Sequence, residues 1–188
     1  MRPVPVHYPE ALQYGARHAL RTILRYRTAD AALQWYRDRG LAIDRVEQIH
    51  LLPLVIVEER ASRLRPWWRR WLWGESALAA ALGPAAVLVG TPVLLTVLLG
   101  WSVDMGWSYG LNMYEERRLT FVEETIVSGL THAFGLTRRG STRDLRYWGH
   151  VAGTILLWGA GSEFTIADRV MATVRAEFRR QWEDSSSL

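Results

Sequence analysis

Residues 63–101, RLRPWWRRWLWGESALAAALGPAAVLVGTPVLLTVLLGW, place four arginines and four tryptophans directly before 28 residues, Ser76 to Val103, that carry no charge. At about 1.5 Å per residue, one helix of that length would cross a hydrocarbon core of roughly 30 Å. Two interruptions argue against a single helix. Gly83-Pro84 and Gly90-Thr91-Pro92 put breakers inside the run, since proline lacks the backbone donor and its ring clashes with the preceding turn. The spacing therefore predicts two short helices, Ser76 to about Leu82 and Pro92 to about Met105, joined into an apolar hairpin broken at Gly83, Pro84, Gly90 and Pro92. Each arm is too short to span by itself.

Outward from this segment the pattern is helical. Before it, Leu12, Ala16, Ala19, Leu20, Ile23 and Leu24 recur at helical spacing after Pro9. Thr28 offers an N-cap and Gly40 a stop for a second helix carrying Ala32, Leu33, Trp35 and Tyr36. Pro53 kinks or restarts a third, and Leu54 to Val57 also fit a short strand. After the apolar run, Leu119, Val122, Ile126, Leu130 and Phe134 line one face of a helix, with Glu115, Glu116, Glu123 and Glu124 opposite and Gly135 at its end. A second apolar segment at 151–161 is rich in glycine, which suits close helix crossings. Phe164, Ile166, Val170, Val174 and Phe178 stripe the closing helix. The expected fold is an all-α single domain over 1–182, of about seven or eight helices, with 183–188 as a frayed tail.

Composition narrows the chemistry. All 23 basic residues are arginine, there is no cysteine, and the formal net charge is +4. Disulfides, thiolate metal sites and cysteine nucleophiles are excluded. The first twenty residues lack the apolar core of a signal peptide, so none is predicted and the cytoplasmic side is expected. No P-loop, dinucleotide fingerprint, GxSxG elbow or HExxH pair occurs. Glu123, Glu124 and His132 are too loosely spaced for a metal site, and neither metal nor cofactor is predicted.

Arg63, Arg65, Trp67, Trp68, Arg69, Arg70, Trp71 and Trp73 carry the strongest local signal. Tryptophan prefers the headgroup level of a bilayer, and arginine pairs with phosphate. Anionic lipid is thus the expected partner, worth about 1 kcal/mol per basic residue at the surface. The competing readings are arginine–tryptophan stacking in a soluble core or at a protein interface, and nucleic acid, which ranks last because the basic residues abut an uncharged run. Arg117, Arg118, Arg138, Arg139, Arg143 and Arg146 make the far flank basic too, so both flanks favour the cytoplasm and a shallow hairpin fits better than one crossing. Asp104 and Glu163 are candidate functional carboxylates beside an apolar pocket, with His150 near them in a soluble-enzyme reading. The ordinary role for Asp104 is an ion pair, and for His150 a hydrogen-bonded core position.

The order of features resembles the EcsC family, a helical and membrane-associated group of bacterial proteins. Three patches carry the resemblance: LGPAAVLVGTPVLLTVLLGWSVDMGWSYGLN with its Gly106 to Gly110 element, EERRLTFVEETI with Arg117 and Arg118 at its charged entry, and VAGTILLWGAGSEFTIADRVMATVRAEFRRQW. The chain departs from the family pattern at Thr91, where an acidic residue is usual before the proline, and at Glu163, where Asn is usual. The resemblance implies membrane association near a transport or secretion system and no catalytic residue. From the residues the protein is expected to be peripheral or monotopic, with an integral subunit of a larger membrane assembly as the alternative.

Overall fold

A computed structural model describes the backbone of residues 8–82, 86–133 and 159–186, and side chains over 13–72, 92–131 and 166–186. Among the described residues the chain is helical without strands: α1 (Tyr8–Tyr26), α2 (Asp30–Arg37), a 3₁₀ helix (Val46–Leu51), α3 (Leu54–Leu82), α4 (Ala86–Ser108), α5 (Glu116–Ala133) and α6 (Gly159–Ser186). The all-α expectation holds, and Leu54 to Val57 open a helix.

Four helices form an up-and-down ring in the order α3, α4, α5, α6, and side-chain contacts fix its register. The Trp68 ring of α3 lies on Gly100 of α4, and Tyr109 reaches Glu58, so these two helices are antiparallel. Arg175 pairs with Glu58 and Asp168 with Arg65, which sets α6 antiparallel to α3. Phe121 against Phe178 and Gly129 against Val170 set α5 antiparallel to α6. Helices α1 and α2 cover the remaining side of α4, with the Tyr36 hydroxyl donating to the Ser108 carbonyl at 2.7 Å.

Helix α4 is the axis of the fold. It packs against the five other described α-helices, and Val97, Leu98, Leu99, Trp101, Val103, Met105 and Trp107 are buried around its whole circumference. An all-round apolar helix is what such a position demands. The uncharged character of 94–103, apart from the exposed Thr96, therefore follows from enclosure by protein.

The apolar hairpin exists, with arms different from those expected. Its arms are α3 and α4 entire, and α4 passes unbroken through Gly90-Thr91-Pro92. Pro92 costs about 3 kcal/mol within a helix. Leu94, Leu95, Leu98 and Leu99 are each at most 4% exposed, and burying one such side chain contributes about 1.5–3 kcal/mol. Tertiary burial outweighs the local penalty, and the Pro92 ring itself is exposed. Gly83 and Pro84 lie outside the described residues, between the end of α3 and the start of α4.

Other local expectations divide. Gly40 stops α2 with φ +76°, and Gly110 ends α4 in the same conformation. In both places the next residue's N–H reaches back to the helix, Leu41 to Tyr36 and Leu111 to Gly106, in a Schellman closure that needs glycine at positive φ. Thr28 does not cap α2: Ala29 holds that position and the Thr28 hydroxyl bonds the Asp30 carboxylate instead. Glu123 does not face water, because α1 packs over it and Arg17 donates to its carboxylate at 3.0 Å. The last helix continues to Ser186, through the tail expected to fray from 183. Ion pairs Arg179–Glu183 and Arg180–Asp184 brace its end.

Candidate functional site

The arginine and tryptophan segment is one helix, so its residues fan out by 100° per position onto different faces. Trp68 and Leu72 join Ala61 and Leu64 in the core. Arg65 and Arg69 turn to α6, where both meet Asp168, Arg65 in a bidentate pair at 2.6 and 3.2 Å and Arg69 at 3.5 Å. Arg63 pairs with Glu59 one turn back. Trp67, Arg70 and Trp71 are left on the exposed face, with the two rings 6.0 Å apart at 61° and Trp71 56% exposed. Arg70 has no partner among the described residues. The side chain of Trp73 lies outside them.

Arg27, just past the end of α1, joins this face to the interior. Its guanidinium lies 4.8 Å from the Trp67 ring and 5.1 Å from that of Trp68, and it pairs with Asp104 at 3.3 Å. Burial pushes the Asp104 carboxyl up, while Arg27, the Trp68 indole and Arg60 oppose that shift. The Trp68 N–H stays outside full hydrogen-bond geometry. Asp104 is thus a mostly enclosed carboxylate with a cation at hand. Its surroundings are helix ends and aromatic rings, an arrangement that ties α1 to α4. The Arg27 carbonyl accepts from the Trp107 indole at 3.1 Å and makes a second tie.

Glu163 lies in the first turns of α6, at the opposite end of the bundle from the α4–α5 turn, and Asp104 lies nearer that turn. The side chain of Glu163, and His150 entirely, lie outside the described residues. Among the described residues no group of three His, Asp or Glu is placed to hold a metal ion. No helix among them is long and apolar enough to cross a membrane.

The register relates the exposed tryptophans to the described bounds of the neighbouring helices. Carried from α6 to both neighbours, it puts the end of α5 at Ala133 level with Trp67 of α3, and the start of α6 at Gly159 level with Gly74. Helix α3 runs on to Leu82, about four turns or roughly 22 Å beyond the α5 end. Trp67 and Trp71 thus sit on α3 between the level of Ala133 of α5 and that of Gly159 of α6.

Sequence reasoning missed the charged residues that hold the segment in place: Asp168, Arg27, and a network in which the Tyr109 hydroxyl donates to Glu58 at 2.7 Å while Arg175 donates to Glu58 and to Ser62. Burial, followed by the hydrogen bond to Glu58, pushes the Tyr109 hydroxyl well above the usual phenol range, which keeps it a neutral donor. These partners are about 50 to 117 positions apart, and no local spacing announces them.

The described residues define a helical bundle with the Trp67 and Trp71 pair exposed on the outer face of α3. Compared with known protein families, curated proteins and solved structures, the chain finds no match.

Proposed function

We propose that this protein docks on the cytoplasmic face of a membrane as a non-enzymatic peripheral protein and supports a membrane or transport complex there. The observation that carries the reading is the exposed Trp67 and Trp71 pair beside Arg70 on the outer face of α3. Exposed aromatics of this kind take the headgroup level of a bilayer, and the adjacent arginine meets phosphate. On this reading residues 76–91, uncharged in sequence, enter the acyl boundary. The water-facing remainder of the bundle stays outside. Membership of the EcsC family would place such a protein beside a transport or secretion system.

Flotation of the purified chain with liposomes tests this. Vesicles containing phosphatidylglycerol should carry the protein up the gradient, pure phosphatidylcholine should carry less, and salt should weaken the difference. A protein that stays at the bottom of the gradient with anionic vesicles at low salt rules the docking out.

A further inference from the structure

Helix α1 carries positive charge that the bundle does not neutralise. Tyr14, His18, Arg21 and Arg25 recur at spacings of four, three and four, so they fall within about 60° of one another around the helix, away from the buried Ala16, Leu20 and Leu24. All four are exposed, Tyr14 by 79%. Between Ala11 and Ala29 the chain has no carboxylate. Among the described residues the Arg21 and Arg25 side chains have no ion pair or hydrogen bond. The nearest carboxylates serve other groups: Glu123 takes Arg17, Asp104 takes Arg27, and Asp30 takes the Thr28 hydroxyl. Glu116 and Glu124 of α5 pair with neither arginine. Two cations on α1 are therefore left to solvent.

Their position decides what they meet. At the end of α1, Arg27 pairs with Asp104 and its carbonyl accepts from Trp107, so α1 runs parallel to α4. Because Trp68 lies on Gly100, counting along both helices sets Arg21 and Arg25 level with Trp67 to Trp71 of α3. The Arg27 guanidinium beside the Trp67 ring shows that this exposed face of α3 turns toward α1. Arg17 faces α5, and Tyr26, 81% exposed, stands on the opposite flank of α1, nearer α3. Basic α1 and aromatic α3 thus border one surface.

We infer that α1 is a second arm of the membrane contact, with Arg21 and Arg25 on the phosphates of anionic lipid and Tyr14 and Tyr26 at the headgroup level. Guanidinium donors match phosphate oxygens, and tyrosine, with an apolar ring and a polar tip, prefers the interface. The bundle then lies with α1 and α3 side by side along the surface. The inference rests on the membrane reading above. An acidic protein would answer the two charges as well, but the exposed tyrosines and the border with Trp67 favour lipid.

The chain has no cysteine, so single cysteines can report on chosen faces. Thr22→Cys on α1 and Thr173→Cys on α6, both at exposed positions, are labelled with nitrobenzoxadiazole and mixed with phosphatidylglycerol vesicles. The α1 label should shift to the blue and be quenched by lipid carrying a nitroxide at the headgroup, while the α6 label stays in water. Arg21→Gln with Arg25→Gln should cut flotation about tenfold at low salt, at an unchanged thermal midpoint. Arg21→Lys with Arg25→Lys should preserve flotation, since a point charge still attracts the anionic surface. Full flotation of the Gln pair, or an α1 label in water on protein that floats, overturns the second arm and leaves the Trp67 face as the membrane contact. In that case polyglutamate bound by the native chain and released by the Gln pair would assign the stripe to an acidic protein. A native chain that never floats with anionic vesicles removes both arms.

Discussion

The ring of Trp68 lies on the bare backbone of Gly100, so closely that a Cβ at that glycine would stand 2.5 Å from the ring's Cη2. This contact sets the distance between the two arms of the hairpin. Gly100→Ala should destabilise the protein by about 1–3 kcal/mol in urea unfolding, since overpacking outweighs the gain of up to about 1 kcal/mol from alanine in a helix. Trp68→Phe should recover part of the loss when combined with it. Strict additivity of the two changes would show that they do not touch.

Asp104 gives a pH dependence whose sign follows from its burial. Its carboxyl is held above the ordinary range, chiefly by desolvation. Stability is therefore fully present below the unfolded pKa, near 3.9, and is lost as pH rises through the higher folded value. Asp104→Asn should gain stability relative to the native chain between about pH 4 and pH 7. A difference that stays flat, or falls, across denaturation midpoints measured in that range would refute the reading.

His50 should act in the opposite direction. Burial, then Arg118, hold its pKa below the ordinary value, so the folded chain binds fewer protons than the unfolded one. The stability this contributes is present above about pH 6.5 and is lost as pH falls through the lower folded pKa. Replacing His50 with Gln should flatten that acid limb. Amide exchange in the 3₁₀ helix, followed from pH 7 down to pH 5, would report whether the neighbourhood opens first there.

The outer face of α3 should separate stability from binding. Trp67→Ser, Arg70→Glu and Trp71→Ser change exposed side chains, and each should alter stability by roughly 0.5–1 kcal/mol or less. Together they should cut flotation with anionic vesicles by tenfold or more. Preserved flotation in the folded triple variant would remove this face from membrane binding.

Asp168 should show the reverse signature. Because Arg65 and Arg69 share its partly exposed carboxylate, Asp168→Asn should cost no more than about 1 kcal/mol of stability. Arg65 and Arg69 lie across the helix from Trp67 and Trp71, so affinity for anionic vesicles should stay within about twofold of the native chain. Weaker vesicle binding would mean that the clasp itself shapes the docking face.

By itself the sequence determined the class of fold and most of the helical core. Periodic Ala16, Leu20 and Leu24, Val122, Ile126 and Leu130, and Ile166, Val170, Val174 and Phe178 are all buried as their spacing required, because a helix presents one face per 3.6 residues wherever it sits. It also marked Gly40 as a stop, since a helix end at positive φ calls for glycine. Tertiary structure decided the rest. Lipid and protein enclosure produce the same uncharged run, and only the described helices around α4 show that protein covers most of 94–103. Pro92 reads as a break until the burial of its neighbours is set against it. The arginine and tryptophan cluster reads as one patch until Asp168, a hundred residues away, draws Arg65 and Arg69 to one side and leaves Trp67, Arg70 and Trp71 on the other. Local spacing encodes which face a residue takes, and long-range packing decides what that face meets.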